Sequence, residues 1–305
     1  MITRDDVDAA AARISGRVRV TPVVEVDAGA VWFKLELLQH TGTFKARGAF
    51  NRVLSARESG ELDPRVGIVV ASGGNAGLAN AYAAAAVGVP ATVFVPTTAP
   101  AVKVARLRAY GATVVQAGSE YAEAYEAAVG HATSVGAVSV HAYDQPEVAA
   151  GAGVCGAELL AQVDVDTVLV AVGGGGLMAG VAAATEGVAK VVAVEPATCP
   201  TLHTALQSGQ PVDIAVSGIA ADSLGARRIG EIAYTVATRT GVQSVLVADD
   251  DLIDARRRLW DQHRLVVEHG AAAAFAALTS GAYVPERGER VAILLCGGNT
   301  DPSDL

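Results

Sequence analysis

The sequence predicts an α/β fold in which helices cover a parallel-rich sheet. From about residue 66 to residue 194, short Val- and Ala-rich apolar segments alternate with helical segments at the spacing of βαβ units. Hydrophobic residues make up 51% of the chain but aromatic residues only 5%, so the core consists mainly of Ala and Val. A length of 305 residues can support a large core in one or two domains.

The individual elements are predicted from apolar patterns that end at capping residues, Gly or Pro. Thr3 is a suitable N-cap for a first helix over Asp5–Ile14, whose first turn is acidic. The predicted strands are Val31–Glu36, Val66–Ala71, Ala91–Val95, Ala112–Gln116, Ala137–Val140, Thr167–Val172, Lys190–Val194, Ser244–Val247 and Val291–Leu295. The predicted helices are Asn75–Val87, Pro100–Tyr110, Ser119–Ser134, Pro146–Gln162 and Gly176–Gly187, with two more before the last strand.

Charge and composition argue against several classes of protein. The net charge is −9 and there is no long run of Lys or Arg, so we expect no nucleic-acid partner. The N-terminus is acidic and the apolar runs are too short to cross a bilayer, so we expect neither a signal peptide nor a membrane association. The three cysteines, Cys155, Cys199 and Cys296, lack metal-binding spacing, which favours a reduced, cytoplasmic setting.

Residues suited to chemistry follow the predicted strands, where open parallel sheets bind ligands. Lys45 lies between Phe44 and small residues at a predicted helix start, and a desolvated lysine there is a usable nucleophile or base. The alternative is a surface lysine on the next helix. The segment Ser72-Gly73-Gly74-Asn75 joins a buried strand to a helix, where its amides either bind an anion or only form a tight turn.

Two further segments follow strands in the second half of the chain. Four successive glycines, Gly173 to Gly176, weaken local structure and are best explained as a phosphate-binding loop at a helix N-terminus. Cys296 ends the last strand, either at a ligand or as a small buried thiol. The glycine loop also fits a dinucleotide fingerprint, with Glu195 about 20 residues later, so an NAD-dependent oxidoreductase is an alternative. That alternative leaves Lys45 unexplained.

Taken together and in this order, the four segments resemble the serine/threonine dehydratase family of pyridoxal-phosphate (PLP) enzymes, most closely the serine dehydratase branch. The resemblance implies the two-domain tryptophan synthase β-like fold (fold type II), with a large cofactor-binding domain at 1–45 and 143–305 and a small domain at 46–142. It implies that Lys45 is the catalytic lysine that binds the cofactor. It further implies cofactor contacts from Phe44, Asn75, Gly173, Gly174, Gly175, Gly176, Leu177 and Cys296, and a substrate-carboxylate site at Ser72, Gly73, Gly74 and Asn75.

The resemblance also implies an activity. The expected reaction is elimination of water and ammonia from L-threonine, L-serine or both, giving 2-oxobutanoate or pyruvate, in a homodimer. Racemisation and β-replacement are alternatives on the same cofactor. Gly73 stands where racemases of this family carry a Ser hydroxyl, which disfavours racemisation.

A cation site is a further implication of the resemblance. Glu195, Cys199 and Thr201 correspond to its ligands, and Thr201 replaces an Asp of divalent-type relatives, so K⁺ is favoured over Mg²⁺. The alternative is that Glu195 only caps or pairs locally. Glu268-His269-Gly270 resembles the family segment before a late helix, and no role follows for it from the sequence.

Overall fold

Ten strands form two sheets in the computed structural model, which describes residues 1–305. The strands are β1 (Val23–Asp27), β2 (Val31–Lys34), β3 (Ile68–Ala71), β4 (Ala91–Val95), β5 (Thr113–Gln116), β6 (Val138–Val140), β7 (Thr167–Ala171), β8 (Lys190–Pro196), β9 (Gln243–Val247) and β10 (Val291–Leu294). The larger sheet has the order β1-β2-β10-β7-β8-β9, and the smaller sheet has the order β5-β4-β3-β6. Only β1 and β2 pair in antiparallel fashion, so the α/β expectation is confirmed.

Twelve α-helices cover these sheets. They are α1 (Arg4–Ile14), α2 (Lys45–Glu58), α3 (Asn75–Val87), α4 (Ala101–Ala109), α5 (Tyr121–Val135), α6 (Pro146–Gln162), α7 (Gly176–Thr185), α8 (Thr201–Ser208), α9 (Ala221–Leu224), α10 (Glu231–Thr240), α11 (Asp249–His263) and α12 (His269–Thr279). None of them combines the length and apolar character needed to span a bilayer. β3 and β7 are buried along their whole length because helices cover both faces of their sheets.

Most predicted elements are present with small differences at their ends. The bounds of α3, β4 and α6 agree with the prediction, and Thr3 caps α1 through a reciprocal capping box with Asp6. β1 was not predicted. Its five residues lie at the edge of the larger sheet and none of them is buried, so the sequence lacks the apolar pattern of a core strand.

The division of strands between the sheets follows the predicted domains. Every strand of the smaller sheet falls within 46–142, and every strand of the larger sheet falls outside that range. The domain boundary itself stays a prediction.

Small residues bring three helices close together behind the candidate site. A Cβ added to Gly153 of α6 would lie 2.5 Å from the carbonyl oxygen of Gly180 in α7. A Cβ added to Gly151 would lie 2.8 Å from the carbonyl oxygen of Arg47 in α2. Glycine at both positions therefore allows α6 to touch α2 and α7 at backbone distance, which fixes α2, the helix that begins with Lys45.

Candidate active site

Lys45 is the first residue of α2, and a buried charge network holds that helix in place. The guanidinium of Arg47, two residues further on, donates two hydrogen bonds to Glu36 at 2.7 and 2.8 Å and two to Glu158 at 2.8 Å. Both Arg47 and Glu36 are fully buried. Removing one partner of such a pair leaves an uncompensated buried charge, so this network constrains where α2 begins.

The side chain of Lys45 lies in a small cavity where α2, α6 and α7 meet the segment after β6. Its Nζ donates a hydrogen bond to the carbonyl oxygen of Ala142 at 2.9 Å and lies 4.9 Å from the centroid of the Phe44 ring. The cavity is lined by Phe44, Lys45, Gly48, Ala142, Tyr143, Val148, Ala152, Gly176 and Leu177. Burial lowers the pKa of Lys45 to about 8, and the opposing effects of Cys296 and Glu268 are smaller.

We expect the lowered pKa to set the pH dependence of cofactor capture by the apoprotein. Only the neutral amine of Lys45 is nucleophilic, so the loading rate should rise with pH up to about 8 and level off above it. The measurement is the rate at which apoprotein acquires the absorbance of lysine-bound PLP across a pH series. A rate that keeps rising toward 10.5, the ordinary lysine pKa, would contradict the buried environment.

The glycine loop leads directly from β7 into α7. No side chain caps α7, so the amide groups of its first turn are free to bind an anion. Larger side chains do not fit here. A Cβ on Gly174 would lie 2.4 Å from the ring of Tyr143, and a Cβ on Gly176 would lie 2.6 Å from the carbonyl oxygen of Tyr143. The loop beside Lys45 therefore has both the donors and the close backbone packing of a phosphate site.

Cys296 reaches the same region because β10 is the sheet neighbour of β7. The backbone carbonyl oxygen of Cys296 accepts a hydrogen bond from the Phe44 N–H at 3.1 Å. Burial, and then the nearby Glu268, raise the pKa of the Cys296 thiol above its usual range. The thiol is therefore neutral at physiological pH. A neutral thiol is a suitable hydrogen-bond partner for an unprotonated pyridine nitrogen of the cofactor.

The Ser72–Asn75 segment forms a second anion cradle on the smaller sheet. It connects β3 to α3, and α3 also lacks a side-chain cap. The hydroxyl oxygen of Ser72 accepts a hydrogen bond from the Gly74 N–H at 3.3 Å. The segment faces a cleft that is lined by Gly73, Gly74, Asn75, Leu78, Lys103, Arg106, Asp222, Ser223, Glu268 and Asn299. A carboxylate fits this concave, donor-rich surface.

Two residues that the sequence did not assign hold Asn75 in the cleft. Its Nδ2 donates to both carboxylate oxygens of the buried Glu268 at 3.0 Å, and its Oδ1 accepts from Nδ2 of Asn299 at 2.8 Å. These contacts fix which end of the Asn75 amide is the donor. Burial raises the pKa of Glu268 to about 7, partly offset by the Asn75 hydrogen bond. The family-like Glu268-His269-Gly270 segment was the only sequence signal for this role.

We expect Glu268→Gln to lower kcat about tenfold above about pH 8, where Glu268 is ionised, while the fold is retained. A hydrogen bond to a charged acceptor is worth roughly 1.5–3 kcal/mol. The glutamine keeps the shape but offers Asn75 one acceptor oxygen instead of two. The measurement is kcat beside the far-ultraviolet circular dichroism spectrum. An unchanged kcat would mean that Glu268 only fills space.

The candidate cation residues lie together at the start of α8. The carboxylate of Glu195 accepts hydrogen bonds from the Thr201 hydroxyl at 3.0 Å, the Leu202 N–H at 2.7 Å and the His203 N–H at 2.8 Å. The Cys199 thiol donates to the carbonyl oxygen of Ser217. Glu195 thus caps α8 in this structure. The dinucleotide alternative needs the same carboxylate to bind a ribose, but here its oxygens already accept these three hydrogen bonds.

These features fit PLP. A partly buried lysine whose pKa is lowered by desolvation, an uncapped helix N-terminus behind four glycines, and a neutral thiol meet in one region. The phosphate, the aldehyde and the pyridine nitrogen of the cofactor each have a suitable partner among them.

Comparisons with known proteins agree with this geometry. A phenylserine dehydratase of Ralstonia pickettii is 39% identical over 301 residues, covering 95% of this chain and 91% of the relative. An L-threonine ammonia-lyase of Thermotoga maritima is 34% identical over 311 residues, covering 99% of this chain and 76% of the relative. The crystal structure of the T.th. threonine deaminase superposes with a TM-score of 0.90 at 34% identity, covering 99% of both chains. A family model described as pyridoxal-phosphate dependent enzyme matches residues 14–297, and the chain therefore belongs to that family.

Proposed function

We propose that this chain is a PLP-dependent ammonia-lyase that removes water and ammonia from 3-hydroxy amino acids, with L-threonine and L-serine as the simplest substrates. One observation carries the proposal. Lys45, with its pKa lowered to about 8, lies between an uncapped helix N-terminus suited to a phosphate and a second one suited to a carboxylate. The ammonia-lyase and dehydratase names of similar proteins support the same reaction class.

The cofactor site would use residues from both sheets. The amides of Gly173, Gly174, Gly175, Gly176 and Leu177 would hold the phosphate, while Phe44, Asn75 and Cys296 would contact the ring. When bound, PLP supplies the electron sink that makes the Cα–H bond of an amino acid acidic. The neutral Cys296 thiol would leave the pyridine nitrogen unprotonated, which favours rapid loss of a β-leaving group over a long-lived carbanion.

The substrate would be held and converted by groups of this chain. The amides of the Ser72–Asn75 segment bind its carboxylate at the N-terminus of α3. The neutral amine of Lys45 accepts the Cα proton. The Cβ–O bond then breaks and the hydroxyl leaves as water after it has gained a proton. The released enamine becomes an imine, water adds to it and ammonia leaves, so that one 2-oxo acid and one ammonia form per substrate.

Racemisation is disfavoured because no side chain is available to donate a proton from the face opposite Lys45. It needs a second proton donor across from Lys45, and Gly73 offers no side chain there. A Cβ at Gly73 would meet only Cγ1 of Val95, at 3.5 Å, so the position has room for a side chain but carries none. β-Replacement remains distinguishable by its product, because it retains the amino group.

The test is release of 2-oxo acid from L-threonine and L-serine by PLP-loaded protein. We expect equal amounts of ammonia and 2-oxo acid, with no D-amino acid. A loaded protein that binds the cofactor but releases neither product would rule out the ammonia-lyase, and a D-amino acid product would replace it with a racemase.

Assembly, ions and compartment follow from the same proposal. We infer a homodimer, a cytoplasmic setting, and a division into a small domain at 46–142 and a large domain at 1–45 and 143–305. Three free, buried cysteines support the reducing compartment. We also propose that Glu195, Cys199 and Thr201 admit a monovalent cation such as K⁺, which suits a site with a Thr in place of a carboxylate better than Mg²⁺ does.

A further inference from the structure

Four aromatic side chains form a continuous row beside the Lys45 cavity. The rings of His141 and Tyr143 meet edge to face with centroids 4.6 Å apart, and those of Tyr125 and His141 meet in the same way at 5.9 Å. Tyr121 and Tyr125 stack at 6.2 Å. None of the four belongs to the cofactor or carboxylate residues assigned above. We call Tyr121, Tyr125, His141 and Tyr143 the aromatic row.

The inner end of the row adjoins the reacting region. Ala142 lies between His141 and Tyr143, and its carbonyl oxygen accepts the hydrogen bond from Lys45 Nζ at 2.9 Å. Tyr143 itself lines the Lys45 cavity, and its ring lies against Gly174 of the phosphate loop. A substrate whose Cα is within reach of Lys45 therefore has this end of the row close to its Cβ.

The outer end of the row has open ring surface. Tyr121 and Tyr125 are one turn apart on α5 and share a face of that helix. Tyr121 is 51% exposed and Tyr125 is 37% exposed. Two exposed, stacked aromatic rings next to a catalytic cavity leave apolar surface that a ligand can cover.

The row is uncharged at neutral pH. Nδ1 of His141 accepts the N–H groups of Asp144 at 2.9 Å and Tyr143 at 3.3 Å, so this nitrogen carries no proton. Burial, the largest effect, and Lys45 lower the pKa of His141, against an opposing effect of Asp144. The row thus offers ring faces and edges without a cation. This suits an aromatic substituent better than a carboxylate, and a methyl group would cover little of it.

We propose that the aromatic row binds an aromatic ring carried on the substrate Cβ, so that the preferred substrates are aromatic 3-hydroxy amino acids such as L-threo-3-phenylserine. This inference rests on the proposed ammonia-lyase function and names its substrate class. The products from phenylserine would be phenylpyruvate and ammonia, by the same loss of water and hydrolysis as above.

The experiment compares kcat/KM for L-threo-3-phenylserine and L-threonine in PLP-loaded wild type, Tyr125→Ala, Tyr125→Phe and Val129→Ala. Val129 is exposed and lies one turn further along α5, so it is a matched control. We expect wild type to prefer phenylserine, and we expect Tyr125→Ala to reduce the phenylserine-to-threonine ratio roughly tenfold, as for loss of one aromatic contact and its buried area. Tyr125→Phe and Val129→Ala should keep the ratio.

Two other results separate the proposals. Turnover of threonine with no preference for phenylserine, or an unchanged ratio in Tyr125→Ala, overturns the role of the aromatic row and leaves the ammonia-lyase standing. If neither substrate yields a 2-oxo acid, the ammonia-lyase fails, and calorimetric binding of L-phenylalanine and L-alanine to the loaded protein then tests the row alone. Tighter binding of L-phenylalanine that Tyr125→Ala weakens supports the row, and equal binding of the two amino acids overturns it.

Discussion

Lys45→Ala is expected to abolish 2-oxo acid release and the absorbance of lysine-bound PLP. The variant loses the nucleophile that binds the cofactor and the base that accepts the Cα proton, and base catalysis alone is worth about 10²–10⁴ in rate. The loss of kcat should therefore be at least about 10³-fold. The fold should survive, because the Ala142 hydrogen bond is the only one that Lys45 Nζ makes and Arg47, not Lys45, anchors α2.

Lys190→Ala is the control for this substitution. Lys190 begins β8, its side chain is 62% exposed, and its only ion pair is a long one to Glu289 at 3.5 Å. Its loss should leave both the absorbance and the rate close to those of wild type. Retained turnover in Lys45→Ala, with an intact control, would show that another group performs the chemistry.

Gly175→Ala is expected to produce the second large effect, on both cofactor affinity and stability. Gly175 has φ = +85°, a left-handed conformation that costs a residue with a side chain about 1–2 kcal/mol. An added Cβ would also lie 2.4 Å from Cβ of Ala233 and 2.7 Å from Cδ1 of Ile229. Either α10 or the loop must move. We therefore expect the free energy of unfolding to fall by roughly 2–4 kcal/mol and the PLP dissociation constant to rise at least about tenfold.

Gly187→Ala separates backbone strain from the collision. Gly187 lies just after α7, the helix that Gly175 precedes, and has φ = +75°. An added Cβ at Gly187 meets nothing within 4 Å. Both variants are compared by chemical denaturation and by PLP titration. In Gly187→Ala only the free energy of unfolding should fall, whereas in Gly175→Ala the free energy of unfolding should fall and the PLP dissociation constant should also rise. Equal PLP affinity in the two variants would argue against the glycine loop as the phosphate site.

The predicted strand ends were informative because residues that follow adjacent parallel strands lie close together at the same edge of the sheet. Cys296 and the glycine loop are more than 100 residues apart in the sequence, yet they follow β10 and β7, which pair side by side. Lys45 was singled out by its aromatic and small neighbours, and in the structure it lines the cavity beside Phe44. The individual cofactor and substrate contacts remain predictions. Of the residues named for them, Phe44, Lys45, Gly176 and Leu177 line the cavity, and Gly73, Gly74 and Asn75 line the cleft.

The sequence by itself determined the α/β class and the family, and it predicted the main candidate site residues, because periodic apolar patterns and runs of glycine act locally along the chain. It did not identify Glu268, which meets Asn75 across 193 residues, or the role of Arg47, whose partner Glu158 is 111 residues away. The aromatic row also joins rings from α5 and from the segment after β6. Only the tertiary structure decided these contacts, because whether a charged or aromatic side chain is buried, paired or exposed depends on elements that pack against it from distant parts of the chain.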